Sequence, residues 1–174
     1  MITAVDTNII LDVLIPGEPF GTSSKELLDR HSSKGRLILC EVVFAELAAR
    51  FPSEEELASF LADTRMNLVY SNEKSLYMAG SRWAEYARKS AKNRFSCGKC
   101  GHAFEATCPK CKAVLTKRLH VLADFLIGAH ALVQADCILS RDLGVYKTYF
   151  SDLTMVGSIK GAFNLRPSAA GCGE

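Results

Sequence analysis

Apolar residues recur in short continuous runs separated by longer stretches of helical period, which predicts buried strands joined by helices. ITAV at 2–5 is the first run, and TNIILDVLI continues from Asp6 with a helical period until Pro16-Gly17 stops it. Thr22, Ser23 and Ser24 can cap a helix running to about His31; Gly35 breaks it, and RLILC at 36–40 is a second buried strand. A helix is predicted over 41–51. Pro52-Ser53-Glu54-Glu55-Glu56 opens another that ends near Arg65, with acids in the first turn where they complement the helix dipole. NLVY at 67–70 is a candidate third strand. From Glu73 to about Lys92 the pattern is a long helix with Leu76, Tyr77, Ala79, Gly80, Trp83, Ala84 and Ala87 at core-compatible spacing.

After a cysteine-rich stretch the pattern resumes with a helix over 123–134, a strand at 136–140, a helical turn at 143–150 and a short strand near 154–156. Alternating strands and helices predict an α/β three-layer α/β/α sandwich with a mostly parallel sheet. The main domain is expected over 1–160, interrupted at 95–113, with a loose tail at 164–174 carrying Pro167, Gly171 and Gly173. No internal repeat is present.

At 174 residues the chain accommodates one domain with an insertion, and 48% hydrophobic against 23% charged residues excludes a disordered or low-complexity chain. No apolar stretch approaches a membrane span, and the opening carries an acid where a signal peptide has basic residues. A cytoplasmic protein with no membrane partner is expected. The net charge of +2 conceals a segregation of sign. Residues 82–118 carry ten basic residues against Glu85 and Glu105, a local +8, leaving 11 basic and 17 acidic residues elsewhere. A cationic segment suits a polyanion, and the acidic remainder suits a function that needs carboxylates.

Two predicted strands lead into acids at the carboxyl edge of the sheet, where open α/β sheets bind ligands: ITAV into Asp6, and CILS into Arg141-Asp142. Glu46 and Asp124 lie on helices among apolar neighbours, off the expected solvated face. Carboxylates moved toward a core need a proton, a partner or a cation, and few Lys or Arg residues lie close to these four in sequence, Arg50 and Arg141 being the nearest. If the four converge, a hard divalent ion, Mg²⁺ or Mn²⁺, suits them, and such an ion supports phosphodiester hydrolysis. Asp12, three to four residues from Asn8 and Ile9, could support the site but reads first as a helix-surface or packing residue; His130 reads as a buried or half-buried helix histidine, and Tyr146, Tyr149 and Phe150 as core. Taken singly, each acid is as readily a cap or turn residue.

Read in order, DTNIILD at 6–12, FAELA at 44–48, ADFLIGAHAL at 123–132 and SRDLGVYKTYFSDL at 140–153 resemble the ordered motifs of PIN-domain ribonucleases, with most likeness to the VapC-like toxins of toxin–antitoxin modules. The resemblance spans about residues 2–157 apart from the cysteine segment. It implies a three-layer sandwich, Mg²⁺- or Mn²⁺-dependent endonucleolytic cleavage of RNA, Asp6, Glu46, Asp124 and Asp142 as the acidic centre, Asn8 orienting Asp6, and Ser140 at a supporting position. It also implies an antitoxin partner and a homodimer.

Cys97-x-x-Cys100 and Cys108-x-x-Cys111 can each present two thiolates to one ion, so together they predict a closed tetrahedral Zn²⁺ site of structural type. The pair resembles the knuckles of small zinc ribbons. His102 is expected beside the ligands or exposed. Arg88, Lys89, Lys92, Arg94, Lys99, Lys110, Lys112, Lys117 and Arg118 are the candidate RNA-binding residues around it; an interface for a protein partner is the alternative, and the zinc knuckle favours RNA. Cys40 and Cys137 read as small core residues, and Cys172 lies in the tail. The leading expectation is an endoribonuclease of the toxin type; a ribosomal-RNA-processing nuclease with a zinc ribbon and a non-catalytic RNA-binding or scaffold module are the alternatives.

Overall fold

The computed structural model of the chain describes residues 1–89, 95–96, 102–113, 122–142 and 144–157. The tail at 164–174, with Cys172, and Cys97, Cys100, Lys92, Arg94, Lys99, Lys117 and Arg118 lie outside the described residues, as does the Lys89 side chain. Five parallel strands make one sheet: β1 (Ile2–Val5), β2 (Arg36–Leu39), β3 (Met66–Leu68), β6 (Cys137–Leu139) and β7 (Met155–Val156), in the order β3-β2-β1-β6-β7. Thr3, Ala4 and Val5, Leu37 to Leu39, and Cys137 to Leu139 are each buried consecutively, so both faces of the central strands are covered. That is why these strands read as apolar runs instead of alternating patterns.

The connections are α1 (Thr7–Leu14) and α2 (Gly21–Ser32), α3 (Glu41–Ala48) and α4 (Glu54–Asp63), α5 (Glu73–Lys89) and α6 (Leu122–Gln134), and α7 (Gly144–Tyr149). Helix α6 packs on β1, β6 and α5, whereas α2 packs on β2 and α1. A small antiparallel hairpin of β4 (Phe95–Ser96) and β5 (Ala103–Phe104) lies between α5 and α6 in the chain. The first two crossovers build the sheet outward on one side of β1, and the α5–α6 crossover returns to its other side. The carboxyl ends of β1 and β6 therefore form the topological switch point, where side chains from two adjacent strands can meet a ligand.

Several sequence expectations shift. The 41–51 helix ends at Ala48, and Phe51 instead stacks on Phe60 of α4 at 5.3 Å. The third strand is Met66–Leu68, because Met66 to Leu68 take the register opposite Leu37 to Leu39. Thr22 to Ser24 do not cap α2: Phe20 precedes its first turn, and the Ser24 hydroxyl donates to Asp12. On α5, Tyr77 is 82% and Leu76 46% exposed, since the helix turns Ser75 and Ala79 inward. Ser53 does cap α4, accepting the Glu56 amide at 3.2 Å.

Candidate active site

Asp6 is the residue immediately after β1, and its amide donates to the Leu139 carbonyl of β6 at 3.0 Å. The carboxylate is 6% exposed and is surrounded by donors. Asn8 Nδ2 donates to Asp6 Oδ2 at 2.7 Å, Ser140 Oγ at 2.6 Å and Tyr146 Oη at 3.4 Å. Burial raises the Asp6 pKa; the bonds from Ser140, the Thr7 amide and Tyr146 oppose that rise, and the charge of Glu46 adds to it. Burial, reinforced by the charges of Asp6, Asp124 and Asp142, pushes the Tyr146 hydroxyl far above its ordinary range. Tyr146 is thus a fixed donor.

Asp124 enters from the first turn of α6. Its pKa is pushed up to about 6, first by burial and then by the charges of Asp142, Asp6 and Glu46. The four acids therefore share one field although they come from four elements. Gly128, one turn along α6, makes this approach possible: a Cβ there would stand 2.9 Å from Phe150 and 3.0 Å from Tyr146. Asp142 is exposed, its amide donates to Ser140 Oγ at 3.0 Å, and its Oδ1 accepts the Gly144 amide at 2.8 Å. Glu46 accepts a hydrogen bond from Thr7 Oγ1. Contrary to its expected setting, Glu46 is exposed, because Val43 and Leu47 take the buried face of α3. Glu46 and Asp142 form the open rim of the site, with Asp6 as its floor.

Among the described residues none of these four acids is ion-paired with a lysine or arginine. The donor set, all hard carboxylate oxygens with the proton affinity of Asp6 and Asp124 raised, fits a divalent cation in chemistry. Among the described residues, however, no three His, Cys, Asp or Glu side chains form a group ready to hold an ion as they stand. The oxygens of Asp6 and Glu46 are turned instead to Asn8, Ser140, Tyr146 and Thr7.

Sequence reasoning missed Thr7 and Tyr146. A threonine following the strand-end acid and a tyrosine four residues after Asp142 were the available signals, the latter a residue with an apolar body and a polar tip. Asp12 is neither a surface residue nor a simple packing one: it is 2% exposed and its Oδ1 accepts Arg141 Nη2 at 2.7 Å. His130 is buried, as are Tyr146 and Phe150, while Tyr149 packs at the edge of the core. Cys40 and Cys137 are buried core thiols, and burial pushes Cys40 up to about 11.

In the cysteine segment, the Cys108 amide donates to the Ala113 carbonyl at 2.8 Å and the Lys112 amide to the Cys108 carbonyl at 2.9 Å, closing a tight turn in which Lys112 has φ 63°. The amides of Cys111 and Lys110 point at the Cys108 sulfur and lower its pKa. Such a turn favours a thiolate. Arg88, Lys110 and Lys112 are exposed, as is His102. Arg82, part of the basic charge count, is instead bound to Asp152 at 2.9 Å and to the Tyr149 carbonyl at 2.6 Å.

No family model matches the sequence, and no curated protein matches it. Solved structures do. VapBC2 from Rickettsia felis, bound to a DNA fragment from its promoter, aligns with a TM-score of 0.57 and 18% identity over 90% of this chain and 98% of that one. The chain has a PIN-like fold. VapBC-1 from nontypeable Haemophilus influenzae gives 0.56 at 21% identity over 91% and 98%, and DNA-bound VapBC from Salmonella typhimurium 0.54 at 15% identity over 91% and 99%. The PIN-like fold explains the placement of Asp6 and Asp142 on neighbouring strand ends. No helix among the described residues is long and apolar enough to cross a membrane.

Proposed function

We propose that the chain is a divalent-metal-dependent endoribonuclease acting as the toxin of a toxin–antitoxin pair. One observation carries this reading: Asp6, Glu46 and Asp142, each from a separate element, add their charge to the rise in proton affinity of Asp124 at the switch point of the sheet, and among the described residues none of the four is paired with a lysine or arginine. Asp6, Glu46, Asp124 and Asp142 would hold Mg²⁺ or Mn²⁺, whose chemistry there is Lewis-acid polarisation of the phosphodiester and generation of a nucleophile from water. Asn8, Ser140 and Tyr146 orient Asp6 by donating to one of its oxygens, leaving the other outside their bonds. Asp124 must shed its proton to serve as a ligand, so cleavage rises as pH passes about 6.

The cysteine segment would fold around Zn²⁺ held by Cys97, Cys100, Cys108 and Cys111, an assignment supported by the thiolate-favouring turn at Cys108. Its exposed Lys110 and Lys112, with the other basic residues of the segment, would meet RNA phosphates. An antitoxin is the proposed protein partner because the similar solved structures are VapBC, and a groove of about 330 Å³ lined by Leu11, Leu14, Ile15, Phe51 and Pro52 together with the charged Arg50 and Glu56 is a candidate seat for it. A homodimer remains part of the proposal. The decisive assay is RNA cleavage with Mn²⁺ supplied or chelated, beside Asp6→Asn and Asp124→Asn. The parent should cleave only with the ion, and each variant should lose at least about 100-fold in rate. Equal cleavage by all forms would indicate a contaminating nuclease, and an inert parent would favour the RNA-binding module.

A further inference from the structure

Arg141 stands between Ser140 and Asp142 in sequence, yet its guanidinium is not bound to the acidic centre. Its Nη2 donates to Asp12 Oδ1 at 2.7 Å, and its Cζ lies 4.6 Å from the centre of the Phe20 ring. The receiving carboxylate is 1% exposed, and its second oxygen accepts Ser24 Oγ at 2.6 Å. Asp12 is thus a buried acceptor built from α1 and α2 around this one cation. Among the described residues Arg141 Nε is buried with no hydrogen-bond partner.

The ion pair is not what fixes the Asp142 loop. Backbone bonds already do so: the Arg141 amide donates to Asn8 Oδ1 at 3.0 Å, the Asp142 amide to Ser140 Oγ at 3.0 Å, and the Gly144 amide to Asp142 Oδ1 at 2.8 Å. What Asp12 and Phe20 determine is where the positive charge goes. A guanidinium released beside Asp142 finds an acidic cluster that has no basic partner among the described residues, and it would neutralise that cluster in place of a divalent ion.

Resting on the nuclease reading, we propose that Asp12 is a positioning residue that sequesters Arg141, reserving Asp6, Glu46, Asp124 and Asp142 for a divalent cation. The ion pair acts through charge, and its deletion as a pair leaves the centre competent. Replacing a buried ion pair by neutral side chains is tolerated far better than stranding one of its members, which makes the paired variant a usable instrument.

The test measures Mn²⁺ binding to the full chain by calorimetry, with melting temperatures recorded alongside. Asp12→Asn should weaken Mn²⁺ at least tenfold, and Asp12→Asn with Arg141→Met should restore it to within threefold of the parent. Asp12→Asn with Arg141→Lys shares the loss of Asp12 but keeps a cation, and should bind Mn²⁺ at least fivefold more weakly than the Met-bearing form. Because these two double variants share the loss of Asp12 and differ at 141 chiefly in charge, their comparison stands even where the single variant fails to fold. Equal affinity in the two double variants, or an unchanged Asp12→Asn, overturns the proposal while leaving the nuclease reading intact. A parent that binds no Mn²⁺ overturns both.

Discussion

At the carboxyl edge of the sheet, Asp6 is fixed by Asn8, Ser140 and Tyr146 above strands that are buried on both faces. In the cysteine segment, the described residues form a hairpin of two-residue strands and a turn in which Phe104, Lys110, Cys111 and Lys112 are all exposed. The first region takes its geometry from the packed core, whereas the described residues of the second bury too little apolar surface to hold a shape alone. A catalytic constellation needs fixed donors and hence the sheet; a grip on a polyanion can be built on a staple. The difference predicts that the two regions respond independently to loss of the ions proposed for them.

The sharpest separation comes from stripping Zn²⁺ with a chelator. The segment around Cys108 and Cys111 should lose its amide dispersion in NMR spectra and RNA affinity should fall about tenfold, a loss equivalent to 1.4 kcal/mol. Signals from β1, β2 and β6 should stay in place. Global loss of structure would merge the two regions into one folding unit.

Gly128→Ala attacks the other side of the comparison. The added methyl meets Phe150 and Tyr146 at about 3 Å, and overpacking of this kind destabilises by about 1–3 kcal/mol. Denaturant titration should show that loss with no change in the Zn²⁺ content of the segment. An unchanged midpoint would mean that α6 and α7 are free to separate, and with them Asp124 and Tyr146.

A smaller effect follows from protonation. The folded-state pKa of Asp124, about 6, lies above its ordinary 3.8, so the folded chain binds a proton more tightly than the unfolded chain. Stability from this group is present below pH 4, declines between about pH 4 and 6, and is flat above. Solvent on the open side of the site screens the effect to about 1 kcal/mol. Asp124→Asn should remove the slope and melt higher than the parent at neutral pH, as scanning calorimetry across pH 4–8 would register. A difference in stability between parent and Asp124→Asn that does not change across that interval would place Asp124 outside the shared field.

Much of this comparison was legible in the chain. The buried strands betrayed themselves as apolar runs, and Asp6 and Asp142 were readable as strand-end acids because a parallel sheet delivers successive strands to the same edge. Glu46 and Asp124 needed the order of motifs, since their helical neighbours alone misplaced Glu46 on a buried face. The pair of Asp12 and Arg141, 129 residues apart, left no local signal at all. Tyr146 looked like core, and it is core; only the fold aims its hydroxyl at Asp6. On α5 the apolar spacing was compatible with two faces, and packing on α6 chose the one that leaves Tyr77 in solvent.

The account rests on four carboxylates acting as one cation site. Titrating Mn²⁺ into the parent and into Asp124→Asn, at pH 7.5 and again at pH 5, addresses it directly. Saturable binding by the parent at pH 7.5, weakened at least tenfold at pH 5 and absent in Asp124→Asn, is the predicted result. Binding that is indifferent both to pH and to Asp124 would contradict it.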